Sequence, residues 1–146
     1  MIARRLSLAL LAAATLTAAG CSMTRMSDSK PMGGEMNVPL SAKNEVPPNA
    51  STAVGMARVE LNGMTLKWTV TYSGTTGPVT AGHFHGPAAP GANAGVVLPF
   101  SGSMASPIEG SATLTQAQVD QLKAGTWYVN LHTIANPGGE IRGQVK

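Results

Sequence analysis

From about Asn37 to the last residue, the chain consists of short segments in which apolar and polar residues alternate. Residues 53–61 alternate small or apolar with polar side chains, and residues 64–72 repeat the pattern. A period of two is typical of a β-strand that turns one face to a core. Asn62-Gly63, between the two segments, is a dipeptide preferred in two-residue type I′ turns. The pattern therefore predicts a hairpin whose second strand points its apolar residues inward.

The other segments with strand signals are rich in Val and Thr and are separated by Gly, Pro and Asn. They cover residues 38–43, 79–85, 95–100, 108–114, 126–133 and 140–145. Thr115 and Gln118 form a capping box that predicts one helix over residues 116–123, ending before Gly125. About eight strands and one short helix predict an all-β fold, an antiparallel Greek-key β-sandwich or barrel.

Composition agrees with one β domain and limits its partners. The chain has 146 residues, of which 12% are charged, with 17 Gly and 10 Pro, which disfavours a helical bundle and leaves room for a single domain. The net charge is +3, but Arg4 and Arg5 belong to the N-terminal segment. Residues 21–146 contain eight Lys and Arg against seven Asp and Glu, without a basic cluster. We therefore expect no nucleic-acid partner.

Residues 1–20 contain the charged, apolar and small-residue parts of a secretory signal peptide in order, and the apolar run is too short to span a bilayer. Residues 18–21, Ala-Ala-Gly-Cys, resemble a bacterial lipobox, in which the chain is cut before the cysteine and the thiol is acylated. The resemblance implies a bacterial envelope protein held to the membrane by a lipid anchor on Cys21. By the sorting rule of enterobacterial lipoproteins, the resemblance and Ser22 together imply the outer membrane, with the domain facing the periplasm or the surface. The alternative is an ordinary cleavage site followed by an incidental free thiol.

Residues 21–36 lack apolar periodicity and are interpreted as a flexible tether that leads to a domain at 37–146. Four methionines, at positions 23, 26, 32 and 36, supply thioethers that suit Cu(I). Their irregular spacing and the lack of an accompanying histidine favour ordinary linker side chains instead.

The sequence lacks motifs for nucleotide binding, for a catalytic nucleophile and for a pair of catalytic carboxylates. No glycine-rich phosphate loop follows a strand. Ser101 and Ser103 do not lie in a nucleophile elbow, and the only cysteine belongs to the N-terminal segment. The acidic residues lie in separate segments, without a local pair for acid–base catalysis. The sequence therefore assigns no catalytic residue.

All three histidines lie in the domain, at positions 83, 85 and 132. The spacing of His83 and His85 places both imidazoles on one face of a strand, about 7 Å apart at Cα. His132 ends another predicted strand, on whose polar side Tyr128 and Asn130 also lie. If the two strands are neighbours, the three imidazoles form a metal site with an open coordination position. Neutral imidazole suits Zn²⁺, Cu²⁺ and Ni²⁺, and the usual affinity order favours copper, with zinc as the alternative.

Six segments carry a family resemblance, namely residues 40–48, 55–59 (Gly-x-Ala-x-Val), 81–87 (Ala-Gly-His-Phe-His-Gly-Pro), 114–115 (Leu-Thr), 128–133 (Tyr-Val-Asn-Leu-His-Thr) and 137–144. They resemble the CHRD domain, which is named for its repeats in chordin and occurs in bacterial secreted proteins and lipoproteins. In chordin the repeats are associated with the binding of extracellular signalling proteins. The His-x-His is also similar to the copper-binding strand of copper,zinc superoxide dismutases, but the chain lacks that enzyme's further histidines, zinc-site aspartate and disulfide.

Glu45, Glu140 and Arg142 are the other candidate site residues. A carboxylate can hold a metal-binding imidazole by accepting a hydrogen bond from its second nitrogen, and Glu45 or Glu140 is available for that role. The favoured interpretation is a salt bridge to Arg142 that joins the first and last strands.

Two classes of function follow from these expectations. The first is an envelope lipoprotein that binds copper through its three histidines, for buffering, delivery or tolerance. The second is a non-enzymatic adhesion or ligand-binding module in which the histidines are structural. Redox activity like that of superoxide dismutase is a weaker third option, because an open copper site can react with superoxide.

Overall fold

The computed structural model describes residues 34–146, so the predicted signal peptide, Cys21 and most of the tether lie outside the described residues. Eight strands and one α-helix follow in chain order. The strands are β1 (Glu35–Ser41), β2 (Val54–Asn62), β3 (Thr65–Ser73), β4 (Val79–His85), β5 (Val96–Pro99), β6 (Ile108–Thr113), β7 (Tyr128–Thr133) and β8 (Ile141–Gln144). A 3₁₀ turn (Ala42–Asn44) follows β1, and helix α1 (Gln116–Lys123) lies between β6 and β7.

All neighbouring strands pair antiparallel and form one curled sheet in the order β5-β4-β7-β8-β1-β2-β3-β6. The chain crosses between the two halves of the sheet after β3, after β5 and after β6, and β5 and β6 lie at the edges. The predicted all-β antiparallel class with one short helix is confirmed.

The β2–β3 hairpin is confirmed, but its turn lies one residue later than predicted. Asn62 pairs with Thr65, so Gly63 and Met64 are the two loop residues. A type I′ turn needs positive φ at both, and only Gly63 has it, at 59°. This is the φ pattern of a type II′ turn, in which glycine occupies the first loop position.

Aromatic residues fill the space inside the curled sheet. Trp68 on β3 meets Phe84 on β4 edge to face, with ring centroids 5.4 Å apart, although β3 and β4 are not neighbours in the sheet. Phe100 stacks on Trp68 at 5.3 Å and also contacts Phe84, at 5.3 Å between centroids. Gly110 on β6 lies opposite Trp68, and a Cβ there would lie 2.3 Å from the indole ring, so glycine is required for this packing. The two halves of the sheet therefore share one core.

Helix α1 forms as predicted. The Thr115 side chain accepts from the Gln118 backbone N–H, and the Gln118 side chain accepts from the Thr115 backbone N–H, which completes the capping box. Val119 and Leu122 are buried in the core, and Gly125 follows the helix with φ +70°. No helix within residues 34–146 has the length and apolar character needed to cross a bilayer.

The first strand begins before the predicted start of the domain. β1 starts at Glu35, and Met36, which the sequence analysis grouped with the tether, pairs with Val59 and packs against the core. This methionine is therefore part of the sheet, because the pairing with β2 continues to Glu60.

Candidate metal centre

Strands β4 and β7 are neighbours, as the interpretation of the histidines required. His83 and His85 lie on the outer face of β4, while Phe84 between them points into the core. Register pairs Ala81 with His132, which places His132 diagonally across from His83. Diagonal neighbours of an antiparallel pair are within reach of long side chains. The structure thus brings all three histidines together on one face.

The imidazoles form a compact cluster. One nitrogen of each ring can be chosen so that all three lie within 4.8 Å of one another. The shortest separation joins His83 Nδ1 to His132 Nε2, at 3.0 Å. Nitrogen ligands of a tetrahedral ion, with metal–nitrogen distances of about 2.0–2.1 Å, are about 3.3 Å apart. This pair is therefore within a few tenths of an ångström of the spacing between two ligands of one ion.

Backbone carbonyls fix the orientation of two rings. His132 Nδ1 lies 3.0 Å from the carbonyl oxygen of Pro137, and His85 Nδ1 lies 3.0 Å from that of Ala94. A carbonyl only accepts, so in each neutral ring Nδ1 carries the proton and Nε2 carries the free lone pair. His83 Nδ1–H then donates to His132 Nε2. Two of the three rings therefore present an acceptor nitrogen to the cluster, as metal ligation requires.

His85 Nε2 has no hydrogen-bond partner within the described residues, although it is buried. The only other side-chain polar atom in residues 34–146 with this property is Trp68 Nε1, in the core. A buried polar atom without a partner is destabilising and uncommon, and it calls for an explanation such as a bound ion. In His85 the atom concerned is the unprotonated nitrogen, which is the one that coordinates metals.

The pKa values of all three histidines are lowered from 6.5. For each ring the main cause is burial, which disfavours the charged imidazolium. The proximity of His132 and His85 lowers the pKa of His83 further, because neighbouring positive charges repel. The three rings are consequently neutral at pH 7, which is the form that binds metals.

A stack of three planar groups supports His85 from behind. The ring of Tyr128, its cross-strand partner on β7, lies parallel to the imidazole, with 3° between the planes and 4.8 Å between centroids. The guanidinium of Arg142 lies over Tyr128, 3.4 Å from the ring centroid. The Tyr128 hydroxyl donates to the carbonyl of Ala94, which also accepts from His85. The predicted site residue Arg142 therefore stacks on Tyr128 and makes no ring contact with His85, but its positive charge also lowers the pKa of His85.

Arg142 and Glu45 are both buried near this stack but do not form the expected salt bridge. Within residues 34–146 the only ion pair within 4 Å joins Arg58 and Glu35, both exposed. Arg142 instead donates to Asn93 Oδ1 at 2.9 Å and to the carbonyl of Ala92 at 2.7 Å. The expected salt bridge is therefore not found in the described residues, since Arg142 is hydrogen-bonded to the β4–β5 loop instead.

Glu45 accepts a hydrogen bond from the side chain of Asn130, the residue that pairs with His83 across β4 and β7. Burial raises the pKa of Glu45 to about 7, although the nearby charge of Arg142 and the Asn130 hydrogen bond oppose this shift. Asn130 therefore lies between Glu45 and His83, and the Glu45 carboxylate accepts no hydrogen bond from an imidazole.

Glu140 lies away from the histidines and joins four segments of the chain. Its carboxylate accepts from Ser51 Oγ at 2.6 Å, from Thr133 Oγ1 at 2.6 Å, and from both the backbone N–H and the hydroxyl of Thr76 at 2.8 Å. Burial alone would raise the pKa of Glu140, but these four hydrogen bonds lower it to about 2. Its role in the structure is to hold the loops before β2, β4 and β8 against the end of β7.

Sequence reasoning assigned no role to Tyr128, Asn130 or loop 92–95. Strand alternation had placed Tyr128 and Asn130 on the face of His132, and that placement is correct. Their contacts with His85 and Glu45 depend on β4, β7 and the 92–95 loop meeting in space, for which one sequence carries no local signal.

The fold and the site define a class of protein. Its members have a single curled antiparallel β-sheet with three clustered histidines on the outer face. The chain belongs to the CHRD domain family, whose model matches residues 36–145. No curated protein and no solved structure matches it. The family resemblance seen in the sequence is confirmed, and the match begins within strand β1.

Proposed function

We propose that this protein is held to the bacterial envelope by a lipid anchor. We also propose that its CHRD domain binds one metal ion through His83, His85 and His132, with a higher affinity for copper than for zinc. The function of the bound ion is buffering, delivery or tolerance of copper. The observation that carries the proposal is the cluster itself, with three ligand nitrogens within 4.8 Å of one another.

Three further properties of the cluster support metal binding over a purely structural role. The rings are neutral at pH 7, so no proton has to be removed from an imidazolium before an ion binds. His85 Nε2 is buried and has no hydrogen-bond partner among residues 34–146. Backbone carbonyls already hold His85 and His132 in the required tautomer, which lowers the entropic cost of coordination.

The donor set favours copper among the ions that imidazole binds. Nitrogen ligands suit both Cu²⁺ and Zn²⁺, and Cu²⁺ binds a given site more tightly in the usual order of affinities. Three protein ligands leave a coordination position for water or another small ligand. A bound ion would replace the hydrogen bond between His83 and His132, and neutral His83 would hold it in the tautomer that carries the proton on Nε2.

The metal proposal is tested by titration calorimetry of the purified full-length chain with Cu²⁺ and Zn²⁺ at pH 7.5. Because the ligands act as a set, we expect the His83→Ala/His132→Ala double variant to bind at least about 100-fold more weakly. Lys67→Ala, which alters an exposed residue of β3, is the matched control and should bind like the unaltered chain. Unchanged affinity in the double variant would assign the histidines a structural role and favour the adhesion or ligand-binding class.

The same titration at lower pH separates the histidines from a thioether site. Protons compete with the metal only below the pKa of each ligand, and these values lie below 6.5. Affinity should therefore hold from pH 7.5 to about 6.5 and fall at more acidic pH. A site built from methionines alone would show no such fall, since the thioether does not titrate.

The anchor is tested separately, because it involves Cys21, outside the described residues. Cells that express the chain and are fed labelled palmitate should incorporate label, and Cys21→Ala should abolish it. Ser22→Ala is the matched control and should remain labelled. Equal labelling of Cys21→Ala would contradict the lipoprotein proposal and leave the metal proposal untouched.

A further inference from the structure

A second concave site lies on the opposite side of the Tyr128–Arg142 stack from the histidines. It is a cleft of about 580 Å³ between the segment after β1, the β4–β5 loop and strand β8. Small-molecule sites of proteins typically have volumes of about 300–1,000 Å³. The metal ligands do not line this cleft, so it is a separate feature of the surface.

Positive charge is concentrated in this cleft. Residues 34–146 contain six Lys and Arg and six Asp and Glu, so the described part of the chain is neutral overall. Three of the six cations line the cleft, namely Lys43, Arg142 and Lys146, whereas Glu45 is the only acidic residue among the lining residues. The charged residues that line the cleft therefore carry an excess of positive charge.

Arg142 is the least exposed of these cations, with 2% of its surface accessible. Its two hydrogen bonds, to Asn93 and Ala92, use two of its five N–H donors. No carboxylate lies within 4 Å of it, so the buried guanidinium has no direct counter-ion within the described residues. Burial of a charge without a paired charge is costly, and an anion beside it reduces that cost.

Glu45 weakens an anion site less than its charge would suggest. Its pKa is raised by burial to about 7, so near neutral pH a large part of the population is uncharged. An anion that enters the cleft favours the protonated carboxyl further, because the two negative charges would repel.

We propose that this cleft binds a small organic anion, whose carboxylate or phosphate group is held by Arg142 and Lys43. The side-chain amides of Asn44 and Gln144, which also line the cleft, supply uncharged hydrogen-bond donors. An apolar part of the ligand is expected because the volume greatly exceeds that of a bare oxyanion. The apolar lining consists of Val46, Pro48 and Pro90.

The test is an NMR titration of the isotopically labelled full-length chain in nonionic micelles. Benzoate and phenyl phosphate are the anionic probes, and benzamide is the uncharged probe of matched shape. We expect saturable shifts of the Asn44, Gln144 and Gly91 amides, which line the cleft, with at least one anion and not with benzamide. The stronger of the two anions identifies the carboxylate or the phosphate class.

Charge reversal of exposed lysines locates the site. Lys43→Glu should weaken binding at least about fivefold. Lys123→Glu, on helix α1 and outside the cleft, changes the net charge equally and should leave the affinity unaltered. Arg142→Gln, if folded, should abolish the saturable shifts, and the His83→Ala/His132→Ala variant should retain them, which separates this proposal from the metal site. Equal binding of benzamide, equal effects of the two lysine variants, or no saturable shift with either anion would overturn the proposal.

Discussion

The outer faces of strands β2 and β7 belong to the same sheet but differ in what covers them. On β2, buried Ala57, Val59 and Leu61 alternate with exposed residues such as Glu60. On β7, five of the six residues are buried and His132 is half-buried, so both faces are covered. The cover over β7 comes from the segment around Glu45 and from loop 92–95.

The two strands differ in what satisfies the hydrogen bonds of their polar side chains. A strand with a solvated outer face needs only a core on its other side, because water satisfies its polar side chains. A strand whose polar side chains are buried must provide each with a partner in the protein. On β7 those partners form the polar layer, defined here as Glu45, Glu140, Asn130 and Arg142 with their hydrogen-bond partners. Glu45, Asn130 and Arg142 lie next to the histidines, whereas Glu140 binds Thr133 at the end of the strand.

Among the variants that test this comparison, Glu140→Ala is expected to lose the most folding stability. The change leaves the hydroxyls of Ser51, Thr76 and Thr133 without their shared acceptor, at a cost of about 3 kcal/mol in the free energy of unfolding. Urea denaturation at pH 7 measures it. The matched control, Glu60→Ala on the exposed face of β2, should change stability by no more than about 0.5 kcal/mol. Similar losses for both variants would mean that the two faces do not differ energetically.

The stability difference between the unaltered chain and Glu140→Ala is expected to depend on pH. Because the pKa of Glu140 is lowered from 4.5 to about 2, its contribution is fully present above pH 4.5 and is lost as the pH falls from 4.5 towards 2. The stability difference between the unaltered chain and Glu140→Ala should therefore shrink across that window.

Glu45→Gln is expected to change stability less than Glu140→Ala, and with rising pH it should be stabilised relative to the unaltered chain. Since the pKa of Glu45 is raised to about 7, the folded chain binds more protons than the unfolded one between pH 4.5 and 7, and this residue makes stability fall as pH rises. Glutamine keeps the acceptor for Asn130 and removes the titration. Relative to the unaltered chain, the variant should gain stability with rising pH, by on the order of 2 kcal/mol across the window.

Thermal denaturation at several pH values measures this gain. Comparing the two proteins at each pH cancels the histidines, whose lowered pKa values act in the opposite direction below pH 6.5. A constant difference between the two proteins would show that Glu45 does not titrate in this range.

The smallest effect is expected from Arg58→Ala, which removes the ion pair with Glu35 on the solvated side of the sheet. The two atoms are 3.3 Å apart, but both side chains are largely exposed. Exposed pairs contribute about 0–1 kcal/mol, and salt weakens them further. Denaturation at low and high salt should give nearly the same stability loss, below about 0.5 kcal/mol. A loss as large as that of Glu140→Ala would contradict the comparison.

The strands and the helix were predictable because their signals are local. Alternation located β2 and β3, and the capping box located helix α1 with its buried Val119 and Leu122. The turn between β2 and β3 was displaced by one residue, since Gly63 can serve as the second residue of one turn type or the first of another. Alternation also placed His83 and His85 on one face.

The surroundings of the histidines could not be predicted, because they depend on contacts between distant segments. The hydrogen bond from Asn130 to Glu45 joins residues 85 positions apart, and that from Arg142 to Asn93 joins residues 49 apart. Glu140 was noticed as a candidate, but its partners Ser51 and Thr76 lie in loops without periodicity. The sequence pattern constrains which face a side chain occupies and carries little information on which loop covers that face.

Loop 92–95 also bears on how quickly a bound ion is exchanged. The carbonyl that orients His85 belongs to Ala94, just before β5, and β5 is a four-residue edge strand that pairs only with β4. Edges and loops open locally at a lower free-energy cost than the whole domain unfolds. Opening of this edge removes the Ala94 hydrogen bond that orients the His85 ring, while β4 and β7, which carry all three histidines, stay paired. If the proposed site holds a metal ion, exchange of that ion is expected to follow the opening rate of β5 and to be fast even where the equilibrium affinity is high.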